Sequence, residues 1–167
     1  MSKIQRQIQS IGQHGCAGPD DVIEPMHFIN RGYGCCFDRA RFIEQAVRNH
    51  GFQARHVFLI MPAWGISMTN IFPLNQDAHA ATEVLTSRGW LGVDSNEPFL
   101  LLTQDGYPST YRNAINNIAD FKGISPQKFF RQKLDVIYGL YSRHGRFHGK
   151  NFLGPEYVLS KVLFNFK

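Results

Sequence analysis

A chain of 167 residues is the length of one domain and can bury a core without disulfide or metal staples. Its 43% hydrophobic and 13% aromatic content excludes a disordered or low-complexity chain. The net charge of +5 is uneven: residues 122–167 carry nine Lys/Arg against Asp135 and Glu156, and the first 121 residues are left at −2. A basic, aromatic-rich C-terminal third suits an anionic partner such as a polyanionic glycan, nucleic acid or a lipid surface, but a solvated basic face is the simpler reading, since charge alone is weak evidence, for a nucleic-acid binder above all.

Residues 1–15 are polar, without the apolar core of a signal peptide, and no window reaches the length of a membrane span. Cys16, Cys35 and Cys36 are an odd number and two are adjacent, which argues against a disulfide framework and for a reducing, cytoplasmic setting. No CxxC or CxxH spacing suggests a metal site, and no cofactor motif is present.

In chain order, Ile4, Ile8 and Ile11 stand at helical spacing and predict a short amphipathic helix over residues 2–11, docked on the main body. Residues 12–34, rich in glycine, proline and aspartate, read as loop. A helix over 36–50 follows, its buried stripe formed by Cys36, Ala40, Ile43 and Val47. Gly34 is read as permitting a sharp turn into it, Asp38 as complementing its dipole, and Gly51 as its left-handed stop.

Phe52–Met61 reads as a strand ended by Pro62, and 62–78 as a loop overhanging a cleft. His79–Leu85 and Trp90–Asp94 read as a hairpin turned at Ser87-Arg88-Gly89. In such a hairpin the start of the first strand lies beside the end of the second, so His79 and Asp94 are expected as neighbours.

Beyond it, Phe99–Leu102 is a candidate further strand and 110–121 a short helix. A longer helix opens at Ser125-Pro126 with the stripe Phe130, Leu134, Ile137 and Tyr141. Residues 143–150 form a basic, flexible loop. His144 and His148 are four apart, but the glycines around them argue against a helical metal pair.

A thiol at a helix start, a histidine opening one strand and an aspartate closing the next are the ordered parts of a cysteine nucleophile, its base and the acid that orients the base. A thiol at the opening turn of a helix faces unpaired amides and positive potential, which raise its thiolate fraction. Either Cys35 or Cys36 fits that description.

The motifs Gly34-x-Cys36-x-Asp38-x-Ala40, Gly51-Phe52-Gln53-Ala54-Arg55, His79…Glu83-Val84 and Gly89-Trp90…Asp94 together resemble the transglutaminase-like superfamily, a branch of the papain-like cysteine enzymes. Ala81 stands where that pattern usually has tryptophan. The resemblance covers residues 30–96 and implies Cys36 as nucleophile, His79 as base and Asp94 as the residue fixing the imidazole. It also implies Asn30, six residues ahead of the sulfur, as a side-chain oxyanion donor beside the Cys36 amide. Glu83, Trp90 and Arg55 are read as fold-supporting, Arg55 through an ion pair.

The expectation is one α+β domain with a papain-like core: a nucleophile helix on an antiparallel sheet, with a helical, basic extension over 97–167. Its expected function is cysteine-dependent hydrolysis or acyl transfer at a peptide or other amide, without cofactor or metal. The rival is a catalytically silent domain of the same fold that binds a peptide or an anionic polymer.

Overall fold

The computed structural model describes residues 2–11, 13–16, 24–60, 78–116, 121–122, 134–141 and 147–149. Among them, a five-stranded antiparallel sheet carries a long helix. Helix α1 (Ser2–Ser10) leads to β1 (Gln13–His14), followed by α2 (Pro25–Arg31), β2 (Tyr33–Gly34) and α3 (Cys36–Asn49). Strand β3 (Ala54–Ile60) and the hairpin of β4 (Ala78–Thr86) and β5 (Gly89–Val93) fall where the sequence predicts them, and β3 pairs with β4 to make a meander. After β6 (Leu102–Thr103), α4 (Tyr111–Asn116) and β7 (Phe121–Lys122), β8 (Asp135–Tyr141) and β9 (Phe147–Gly149) complete the sheet, in the order β5-β4-β3-β8-β9.

The alternation of strand side chains divides the core into two layers. Ala54, Val84, Leu91 and Val93 pack under α3 against Ile43 and Val47, and Phe58 and Ala80 against Ala40. On the other face Val57, Leu59 and Ala81 meet Leu101, Tyr111, Ala114 and Leu134. Of the predicted stripe of α3, Ala40, Ile43 and Val47 are buried, the first two fully enclosed, while Cys36 at its start is half-buried. Full burial of the Ile43 and Val47 side chains contributes about 1.5–3 kcal/mol each. The stop at Gly51 is also as expected, with φ at 84°.

Three expectations are corrected. Residues 25–31, read as loop, form α2: Pro25 occupies its first turn, Gly32 closes it at φ 71°, and the buried Phe28 anchors it. The stripe Leu134, Ile137 and Tyr141 is not helical, because 135–141 pairs along β3 with Ile137 opposite Phe58. In that run β-branched and aromatic residues (Val136, Ile137, Tyr138, Tyr141) find a strand edge to complete, and tertiary pairing outweighs a helical spacing. His148 lies not in a flexible loop but in β9, paired with Leu140. The predicted helix start at Ser125-Pro126, residues 62–77 of the predicted loop 62–78 (Ala78 opens β4) and residues 143–146, His144 included, lie outside the described residues. Of the run 99–102, Leu100 bridges to Val93 and the Leu101 amide donates to the Gly92 carbonyl at 2.8 Å.

Glu83, Arg55 and Trp90 form a strut through the sheet. The fully buried Glu83 accepts from Arg55 Nη2 at 2.6 Å and Nε at 2.8 Å, and from the Tyr111 amide at 2.8 Å. The guanidinium lies over the Trp90 and Tyr138 rings, 4.1 and 4.0 Å from their centroids. Removing the carboxylate strands a buried amide and an unpaired guanidinium. Glu83→Ala is therefore expected to cost about 2–4 kcal/mol, read as a Tm lowered by about 5–15 °C in a calorimetric scan.

Candidate active site

The start of α3 is built by a reciprocal cap. Cys35, in extended conformation, donates its amide to Asp38 Oδ2 at 2.9 Å, while the Asp38 amide returns a bond to the Cys35 sulfur. Arg31 holds the other carboxylate oxygen of Asp38 at 2.6 Å. Asp38 thus does more than face the helix dipole: it ties α2 to the first turn of α3.

Gly34 serves a different purpose from the turn expected of it. Its φ is not in the left-handed region, but a Cβ there would lie 2.6 Å from the Phe28 ring and 2.9 Å from Asp38 Cβ. Only a residue without a side chain lets α2 pack this closely on the start of α3.

Cys35 is therefore the cap, and Cys36 is the first residue of the helix, half-buried against Ala40, Phe58 and Ala80. Its main-chain amide belongs to the first turn, whose donors have no partner within the helix.

His79 and Asp94 come from the adjoining strands. Thr82 pairs with Val93, so Asp94, just past β5, stands opposite Ala81 and diagonal to His79 on one face. The His79 Nε2 to Asp94 Oδ2 distance is 2.8 Å, and both residues are buried. Asp94 Oδ1 accepts the amides of Asn96 and Glu97, each at 2.8 Å. Every direction of the carboxylate is fixed. With Nε2 committed to Asp94, Nδ1 is the ring nitrogen left for the Cys36 sulfur, to which the His79 side chain is hydrogen-bonded.

The electrostatics follow. The Cys36 thiol is held well below its ordinary range, first by a hydrogen bond from Cys35 and then, against burial, by His79 and the Ala80 amide. Cys35 moves the other way, raised by its bond to Cys36 and by burial. Burial alone would depress the His79 imidazole, but the charge and hydrogen bond of Asp94, followed by Cys36, outweigh it and lift the ring to about 10. The arrangement favours a thiolate–imidazolium pair at neutral pH.

Asn30 lies on α2 with its side chain exposed. Cys16 is exposed, and none of the three cysteines is in a disulfide. Among the described residues no group of three or more His, Cys, Asp or Glu is placed to hold a metal, and no helix is long and apolar enough to cross a membrane. The basic side chains of residues 122–167 lie outside the described set.

Residues not singled out in the sequence also reach the site. Gln5 and Gln9 of α1 and Arg39 of α3 hold the turn after Asp94. The available signal was a pair of glutamines at i and i+4 on the same side of α1 as Ile8.

The model of the Transglutaminase-like superfamily matches residues 11–95, just over half of the chain, a span that contains Cys36, His79 and Asp94. The chain belongs to the transglutaminase-like superfamily. No curated protein and no solved structure matches it. In this superfamily member the matched segment takes in α2, the whole of α3 and strands β3–β5, and it stops one residue past Asp94.

Proposed function

We propose that this transglutaminase-like domain is a cysteine-dependent amide hydrolase or acyl transferase working through a thioester on Cys36. The reading rests on one observation, the hydrogen-bonded row from the Cys36 sulfur through the His79 ring to the Asp94 carboxylate. The thiolate attacks the carbonyl carbon of a peptide or other amide, forming the C–S bond and a tetrahedral oxyanion. The Cys36 amide at the helix start is the first donor to that oxygen, and Asn30 is the candidate for the second. As the C–N bond breaks, the His79 imidazolium delivers its proton to the leaving amine, and Asp94 holds the ring in position throughout. Water or a second amine then opens the thioester, with His79 taking its proton. A thiol that must stay reduced fits a reducing compartment.

Intact-mass measurement after incubation with peptide and amide libraries, quenched in acid, tests the proposal. The expected result is a mass gain equal to one acyl group, located on Cys36. Absence of any adduct, with Cys36 alkylated no faster than the exposed Cys16, would point instead to a silent binding domain of the same fold.

A further inference from the structure

The turn that carries Asp94 is tied within itself by the Asp94 amide, which reaches the Phe99 carbonyl at 3.4 Å, and it is also held from outside. The carbonyls of Asp94, Glu97 and Phe99 converge on one point, and the donor that meets them comes from the opposite end of the chain. Gln5 Nε2 lies 2.9 Å from the Asp94 oxygen, 2.8 Å from that of Phe99 and 3.2 Å from that of Glu97. One turn further along α1, Gln9 Nε2 donates to the Asn96 carbonyl, while Arg39 Nη1 reaches Asn96 Oδ1 at 3.0 Å from α3.

Docking of α1 does not require a glutamine at position 5. Ile8, 1% exposed, already anchors the helix in the core beneath α3. Gln5 is equally buried, and its Oε1 has no hydrogen-bond partner among the described residues. Leaving a buried acceptor unmet costs about 1–3 kcal/mol, a cost an apolar side chain would avoid. What the amide supplies, and an apolar side chain cannot, is a donor to those carbonyls.

From this geometry we infer that Gln5 is a positioning residue, acting through the 94–99 turn to aim the Asp94 carboxylate at His79. The inference rests on the catalytic reading above. The chain of constraint is continuous: Gln5 fixes the carbonyls of the turn, the turn's amides at Asn96 and Glu97 fix Asp94 Oδ1, and Oδ2 is thereby presented to Nε2. A helix remote in sequence thus sets how strongly the imidazole holds its proton.

The test is the pH dependence of Cys36 alkylation by iodoacetate in the full-length chain, followed on the Cys36-containing peptide. Iodoacetate needs the thiolate, which gives the lower limb, and is drawn by the imidazolium charge, which gives the upper one. Gln5→Met keeps volume and helix propensity but removes the donor. The expected result is an upper limb displaced downward by about one pH unit or more, with turnover falling in kcat rather than KM. Gln9→Met, at the half-buried rim of the clamp, is expected to move the limb the same way by less, and it decides the matter if Gln5→Met does not fold. A lowered Tm with the upper limb unmoved in the variants that fold overturns the inference and makes α1 a structural prop. If His79→Ala leaves the profile of the otherwise native chain unchanged, the catalytic reading fails and the inference with it.

Discussion

Cys36→Ser is expected to reduce turnover of any amide substrate by on the order of 10^5-fold or more while leaving the fold and Tm nearly unchanged. A hydroxyl in place of the thiol stays protonated at neutral pH, so the ion pair with His79 is lost together with the proposed nucleophile. Steady-state kinetics and circular dichroism of the purified variant check both halves of this expectation. Cys35→Ser is the informative contrast. Serine is itself a good helix cap, so the reciprocal bond with Asp38 survives. What changes is the donor to Cys36, a hydroxyl in place of a thiol, and since either can bond the Cys36 sulfur a rate change of about tenfold or less is expected, within the worth of one hydrogen bond. Equal losses in the two variants would overturn the assignment of Cys36 over Cys35.

The second large effect is expected at Asp94. Its Oδ1 already accepts two main-chain amides, so an asparagine there must keep its oxygen on that side and turn its NH2 toward His79. A donor facing Nε2 forces the ring proton onto Nδ1, the nitrogen that in the proposed mechanism accepts from the Cys36 thiol. Asp94→Asn therefore imposes the wrong tautomer, and kcat is expected to fall by on the order of 10^3 to 10^4-fold.

The pH dependence changes in the same variant. The native ring, raised from 6.5 to about 10, carries its charge through neutral pH. Without the carboxylate the upper limb of iodoacetate alkylation is expected to drop toward the ordinary histidine range. Stability follows the sign of that shift: the advantage of the native chain over Asp94→Asn is full below about 6.5 and disappears as pH rises through about 10. Thermal scans at pH 6 and pH 10 check it, and an advantage that grows with pH would contradict the assigned shift.

Much of this architecture was legible in the residues. The stripe Ala40, Ile43 and Val47 named the buried face of α3, and Gly51 named its end, because helical periodicity and a left-handed stop are local properties. The order of His79, a tight turn and Asp94 gave the hairpin register, and with it the proximity of imidazole and carboxylate. Gly34 was singled out for the wrong physical reason. The need for a glycine there comes from the approach of Phe28, a contact no local pattern records.

The chain by itself determined the elements whose side chains repeat with their own backbone: the buried stripe of α3, the β4–β5 hairpin, and which residue types could supply a thiol, a base and an acid. Tertiary structure alone decided that 135–141 completes the sheet beside β3, that Arg31 of α2 binds the capping carboxylate of Asp38 in α3, and that Gln5 reaches across to the turn of Asp94. The reason is range. Periodicity and turn chemistry act over a few residues, whereas strand pairing, capping across two elements and the satisfaction of a buried carbonyl depend on partners brought close only by the collapse of the whole chain.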